Sequence, residues 1–105
     1  MPGNTKPVIK YVTHILITPL PQKLHYYDSL QYFSKDNLED QHYHFGSCAG
    51  VYSQDHLDTL IREHQAKALQ KPVALDILNE LYTDSKGSIY IGPYGEPGES
   101  MQLIE

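Results

Sequence analysis

The chain lacks several features that mark particular classes of protein. It has no tryptophan and a single cysteine, Cys48, so it cannot form a disulfide within one chain. Its eight lysines and arginines are scattered singly, and its formal net charge is −5. Because phosphate backbones and anionic lipid surfaces are bound by clustered cations, we expect neither nucleic acid nor membrane as a partner. The longest apolar run is also far shorter than the ~20 residues that cross a bilayer.

Length and composition predict one folded domain. Of the 105 residues, 40% are hydrophobic and 20% are charged, a balance that is typical of globular proteins. Residues 1–7 contain two prolines and a glycine, which predicts a flexible tail before a single domain over residues 8–105. The lone cysteine and the absence of an apolar leader at the start of the sequence favour a cytoplasmic location.

Hydrophobic patterning predicts strands in the first half of the chain. Residues 8–18 are rich in β-branched side chains and apolar on both faces, which is typical of a central strand. Residues 24–33 fit either a strand or a helix, and we favour a strand. Residues 41–45 predict a short strand whose two histidines face away from its two aromatic residues.

Capping residues predict helices in the second half. Ser53 is a suitable N-cap, and Asp55 follows in the first turn, where a negative charge favours the helix dipole. Apolar residues then recur at helical spacing until Lys71, where the following proline interrupts the helix. Pro72 suits the first turn of a second helix that runs to about Tyr82.

These elements predict an α+β domain. Residues 88–92 and 101–104 predict a C-terminal hairpin around a loop rich in glycine and proline. The expected architecture is a mostly antiparallel sheet of four or five strands, with the two consecutive helices packed on one face. The predicted core consists of Ile9, Val12, Ile15, Ile17, Leu57, Leu60, Ile61, Leu75, Leu78, Leu81, Ile89 and Ile91.

One short window concentrates side chains that bind metals. His42 and His44 project from the same face of a predicted strand, so both imidazoles can bind one ion. Cys48, in the loop that follows, could turn back as a third ligand. Asp55 or His56, at the helix start, could complete a tetrahedral shell. The sequence therefore supports, as one alternative, a zinc or iron site.

The same cysteine suggests a second chemistry. Cys48 stands among small residues just before a predicted helix N-terminus, which lowers the pKa of a thiol. His42, His44 or His56 could act as its general base, with Asp55 orienting the imidazole. A small cysteine-dependent or metal-dependent enzyme is therefore the alternative function, although no motif in the chain points to a particular reaction.

Tyrosine content favours a binding function over catalysis. The chain has nine tyrosines, and tyrosine is enriched at protein interfaces because its ring is apolar and its hydroxyl is polar. We expect a small acidic module without a cofactor, of the inhibitor, immunity or adaptor kind, whose partner is another protein or a second copy. The predicted contact residues are Tyr26, Tyr27, Asp28, Tyr43, Tyr94 and Glu96.

Overall fold

The computed structural model describes residues 9–17, 27–46, 50–95 and 98–104. These residues form nine strands and one helix in two sheets. In chain order the elements are β1 (Ile9–Leu16), β2 (Asp28–Ser29), β3 (Tyr32–Lys35), β4 (His42–Phe45), β5 (Val51–Ser53), α1 (Gln54–Arg62), β6 (Ala66–Asp76), β7 (Asn79–Thr83), β8 (Ile89–Pro93) and β9 (Gln102–Ile104).

Both sheets are antiparallel. The first contains five strands in the order β5-β4-β3-β1-β6, and the second contains four in the order β2-β7-β8-β9. The chain passes between the sheets three times, from β1 to β2, from β2 directly into β3 and from β6 into β7. Among the described strands, β5 and β6 are the outer strands of the first sheet, and β2 and β9 are those of the second.

A hydrophobic core fills the space between the two sheets. Val12, Ile15 and Tyr32 belong to the first sheet, and Leu81 of the second sheet packs in the same buried cluster with Leu75. Burial of such side chains stabilises the fold by about 1.5–3 kcal/mol each. The two sheets are therefore joined by their apolar inner faces.

The helix covers the opposite face of the five-stranded sheet. Leu57, the fully buried residue of α1, packs in a cluster with Phe33, Tyr43 and Ala66. Ser53 caps the helix as predicted, because its Oγ accepts a hydrogen bond of 3.2 Å from the backbone N–H of His56.

A β-bulge in β1 allows one strand to serve both cores. Val12 pairs with Ser34 and His14 with Phe33, so Thr13 is an extra residue that has no counterpart on β3. The bulge shifts the alternation by one position, as one extra residue does in a pleated strand. Val12 and Ile15 both face the second sheet in consequence, while His14 faces the helix.

The expectation of two consecutive helices on one face of a single sheet is wrong. Helix α1 ends at Arg62, and the next turn includes His64 with a positive φ of 59°. The chain then continues as β6, which pairs with β1, and not as helix. Pairing with β1 and burial of Leu75 between the sheets outweigh the helical propensity of this segment.

Pro72 lies in a strand and not at a helix start. Residue 68 pairs with His14 and Val73 with Val12, so β6 carries three more residues than a regular strand would between these pairs. Proline is compatible with a strand at such an irregularity, where its missing N–H removes no ladder hydrogen bond.

Several other predictions are confirmed. Residues 9–16 form a strand with a neighbour on each side, residues 42–45 form a strand, and β8 and β9 form the predicted hairpin. The core prediction is wrong for Ile9, Ile17 and Leu78, which are exposed. The described part of the chain has no helix of the length and apolar character required to cross a membrane.

Candidate functional site

Strand β4 divides the predicted site residues between two faces. Tyr43 is only 5% exposed and packs beneath α1, so its ring belongs to the core and not to a contact surface. His42 and His44 alternate with it and therefore lie on the opposite face.

His42 and His44 line one shallow groove, as their spacing predicts. The groove has a volume of about 350 Å³ and also includes Asp40 and Val51. Nε2 of His44 lies 3.9 Å from Oδ2 of Asp36, and both side chains are exposed. An ion pair of this length at the surface contributes little to stability. The groove thus offers two imidazoles and a nearby carboxylate to solvent.

The third and fourth metal ligands are not assembled within the described ranges. There, no group of three His, Cys, Asp or Glu side chains is arranged to hold an ion. Cys48 lies outside the described residues, so its convergence with His42 and His44 stays a prediction.

His56 and Asp55 occupy different positions relative to the two histidines. The ring of His56 packs against Tyr52 at a centroid distance of 4.7 Å. Tyr52 pairs with Tyr43 and shares its helix-covered face, so His56 lies on the side of the sheet opposite His44. Asp55 and His42, in contrast, line the same open groove of about 460 Å³.

A buried histidine that the sequence did not single out as a site residue lies under the helix. His14 is almost fully buried, and its Nδ1 lies 2.8 Å from Oγ1 of Thr13. Its ring meets that of Tyr43 edge-on, with centroids 5.3 Å apart. Burial lowers the pKa of His14 below the ordinary value, while Asp58 raises it and Lys35 lowers it further. The burial of His14 therefore favours its neutral imidazole.

Polar side chains connect Tyr43, the aromatic neighbour of His14, to the helix. The hydroxyl of Tyr43 donates to Oε1 of Gln54 at 2.6 Å, and Nε2 of Gln54 donates to Oδ1 of Asp58 at 3.0 Å. Nζ of Lys35 lies 4.5 Å from the centre of the Tyr43 ring, within the range of a cation–π contact. The sequence signal for this network is the i,i+4 spacing of Gln54 and Asp58. Its geometry fixes Tyr43 and the helix on the sheet.

Tyr27 and Asp28 lie at one end of the second sheet. The Tyr27 ring packs on Tyr90 at 4.7 Å, and the Tyr90 hydroxyl donates to Oδ2 of Asp84 at 3.1 Å. Asp28 pairs with Thr83 in the sheet, and among the described residues its buried Oδ2 has no hydrogen-bond partner. Both predicted contact residues are half-buried here.

Tyr94 lies at the other end of that sheet, beside an apolar turn. Its backbone N–H donates to the carbonyl of Leu78 at 2.6 Å, which places it next to the turn between β6 and β7. Ile77, Leu78 and Tyr94 are 64%, 71% and 68% exposed. We refer to these three residues as the turn patch. Ile77 and Tyr94 line a groove of about 260 Å³ together with Lys10 and Glu80.

The floor of this groove contains a fixed hydrogen-bond donor. The Tyr32 hydroxyl donates to Oε2 of Glu80 at 3.0 Å, and Nζ of Lys10 lies 5.5 Å from the Tyr32 ring centre. Burial, and then the charge and hydrogen bond of Glu80, raise the pKa of Tyr32 above its ordinary value. Tyr32 therefore remains protonated and holds the Glu80 carboxylate at the edge of the groove.

The predicted contact residues do not form one surface. Asn79, at the Tyr94 end of β7, lies about 14 Å along the strand from Thr83, at the Tyr27 end. Tyr26 and Glu96 lie outside the described residues. Sequence reasoning missed Ile77 and Leu78 as surface residues because their spacing fits the apolar side of a helix.

Comparison of the chain with known protein families, with curated proteins and with solved structures found no match.

Proposed function

We propose that the protein is a small binding module that docks on a partner protein through the turn patch. The observation that carries the proposal is that Ile77, Leu78 and Tyr94 lie beside one another and that each residue is more than three fifths exposed. Aromatic and aliphatic anchors of this kind supply most of the affinity at protein interfaces.

The turn itself does not require apolar residues. Its backbone is held by Oδ1 of Asp76, which accepts a hydrogen bond of 3.1 Å from the N–H of Leu78. Polar residues are the usual occupants of such turns. Covering Ile77 and Leu78 with a partner would contribute about 1.5–3 kcal/mol per fully buried side chain. Their presence on the surface therefore supports an interface at this turn.

Charge selects the kind of partner. The chain carries a formal net charge of −5, and the groove beside the turn patch is lined by one carboxylate, that of Glu80, and one ammonium group, that of Lys10. A cationic surface is attracted to such a module, which raises the association rate more than the affinity. We infer a partner with an apolar pocket bordered by lysine or arginine. A second copy of the chain is the competing occupant.

The test compares exposed leucines on two parts of the surface. Leu78→Ser and Tyr94→Ser remove parts of the turn patch, and Leu38→Ser removes a leucine that is 53% exposed between β3 and β4. Immobilised wild-type protein and Leu38→Ser should retain the same partner in stoichiometric amount from a cell extract, and the two patch variants should lose it. Sedimentation of the purified chain across a concentration series tests self-association.

Two results would contradict the proposal. One is undiminished retention of the partner by Leu78→Ser and Tyr94→Ser. The other is the absence of both a retained protein and any self-association of the wild type.

A metal-dependent or cysteine-dependent enzyme is the second candidate. The observation in its favour is the shared groove of His42 and His44. Elemental analysis of untagged protein tests it: zinc or iron near one equivalent, lost in His44→Ala, would support it. Absence of bound metal, together with a Cys48 thiol that reacts no faster than free cysteine, would count against both chemistries.

We also propose a cytoplasmic location, because a chain with one cysteine has no internal disulfide to gain from an oxidising compartment. Cell fractionation of the tagged chain tests this, and recovery from the membrane or secreted fraction would contradict it.

A further inference from the structure

Two open strand edges, those of β6 and β9, border one groove. Within the described ranges, β6 pairs only with β1, and β9 pairs only with β8. The space between them has a volume of about 160 Å³. The residues that matter for its chemistry are Lys67, Leu69, Lys71, Val73, Ile89 and Ile104.

The floor of the groove is apolar. Leu69 and Val73 of the first sheet and Ile89 and Ile104 of the second are half-buried and pack against the core between the sheets. The groove is therefore an opening of that core to solvent. A cavity of this volume accommodates roughly one benzene-sized group, which is the size of one leucine or phenylalanine side chain.

The rim of the groove is positively charged. Lys67 and Lys71 are exposed, and no carboxylate belongs to the residues that line the groove. This sign is opposite to the net charge of the whole chain, which is −5. Local charge of this kind attracts an anionic ligand to the groove and not to the rest of the surface.

We propose that this groove binds an extended acidic segment of a partner protein, which adds a strand to the open edge of β6. Strand addition supplies main-chain hydrogen bonds, and alternate side chains provide specificity. One apolar side chain of the segment enters the groove, and its carboxylates contact Lys67 and Lys71. β6 has eleven residues and β9 has three, so β6 offers the longer edge, which the extra residues between Ala68 and Val73 divide into two parts.

A second copy of the chain that pairs with this edge in the register centred on the groove fits it poorly. In an antiparallel pair of two β6 strands centred on Leu69, Lys67 of each copy would lie opposite Lys71 of the other. Like charges directly opposite one another destabilise a strand pair. The charge of the rim therefore favours an acidic segment over self-association.

The binding test uses a synthetic probe. We would measure the fluorescence anisotropy of a labelled peptide in which a central leucine has a glutamate two residues away on either side and valines at the positions between. A second peptide carries lysine in place of each glutamate. The glutamate peptide should bind saturably and at least about tenfold more tightly than the lysine peptide. Replacing its central leucine with alanine should weaken binding by about tenfold, because the apolar side chain no longer fills the groove.

Matched charge reversals locate the site. Lys67→Glu and Lys71→Glu should each weaken binding of the glutamate peptide severalfold or more. Arg62→Glu makes the same change of charge at the end of α1, on the other face of the first sheet, and should leave affinity within about twofold. Hydrogen exchange with saturating peptide should show new protection of β6 amides. All three positions are exposed, so circular dichroism should show unchanged folding.

Several outcomes would overturn the inference. These are no saturable binding of the glutamate peptide, equal binding of the lysine peptide, equal effects of Lys71→Glu and Arg62→Glu, or protection confined to α1. Self-association that is abolished by substitutions in β6 and unaffected by the peptide would identify a second copy as the occupant and would also reject the proposal. Because the groove and the turn patch share no residue, Leu78→Ser should bind the peptide normally, so the two proposals can fail separately.

Discussion

Substitution of two leucines that lie three residues apart tests the strand-and-turn structure of residues 66–83. In a helix over this segment, Leu75 and Leu78 would share one buried face, and both would be costly to truncate. In the structure, Leu75 is fully buried between the sheets and Leu78 is 71% exposed at the turn. The two substitutions to alanine should therefore have very different effects on stability.

The magnitude follows from burial. Leu75→Ala removes an isopropyl group, which is worth about 2–2.5 kcal/mol at roughly 0.8 kcal/mol per methylene. The cavity that remains raises the loss to about 3–4 kcal/mol, within the usual range of about 2–5 kcal/mol for buried leucine. Leu78→Ala loses little contact and should change the free energy of unfolding by no more than about 0.5 kcal/mol.

Urea denaturation followed by circular dichroism measures both values. A domain of this size has a total stability of roughly 5–15 kcal/mol, so Leu75→Ala should still fold at low temperature, with a clearly lower midpoint. Similar losses for both variants would refute the strand-and-turn structure, because they would place Leu78 inside the core. A neutral Leu75→Ala would refute the inter-sheet core.

Two further predictions concern the helix and the residue beneath it. Ser53→Ala removes the N-cap hydrogen bond and should lower the free energy of unfolding by about 1 kcal/mol in thermal or urea denaturation, whereas Ser53→Asp should retain most of it. Unchanged stability of Ser53→Ala would show that the cap contributes nothing. Because the folded-state pKa of His14 is lowered below its unfolded value, its stabilising effect is complete above about pH 6.5 and declines as the pH falls below that value. Stability measured between about pH 7.5 and about pH 5.5 should therefore fall more steeply in wild type than in His14→Gln, and parallel curves would contradict this.

The elements that could be predicted from the sequence are those with a local physical signal. Residues 9–16 are β-branched and apolar on both faces, and they form a strand with a neighbour on each side. Ser53 followed by an acidic first turn predicted the start of α1, and the structure confirms it. His42 and His44 share a face because alternation in a strand is itself local.

The wrong prediction arose where local spacing fits two structures. Leu75, Leu78 and Leu81 recur at helical spacing, but only Leu75 and Leu81 are buried, and they lie in different strands that meet at a turn. Short apolar segments cannot be assigned by periodicity alone. The overlooked signal was the pair Asp76 and Asn79, whose side chains favour turns.

The site could be anticipated less well than the fold. A tyrosine in the sequence does not show whether its ring is buried, and Tyr43 is buried while Tyr94 is exposed. The turn patch and the groove beside β6 bring together residues from separate strands, and that proximity depends on how the two sheets pack. Pairing between distant segments has no signature in a single sequence.

The bulge at Thr13 decides which face of β1 each side chain reaches. In a regular strand, Val12 and Ile15, three residues apart, would point to opposite faces, and one of them would leave the inter-sheet core. One further residue between Val12 and His14 would again put them on opposite faces, whereas deletion of Thr13 would remove the bulge and keep both on one face. Natural variants of this chain should therefore lose Thr13 more readily than they gain a single residue beside it.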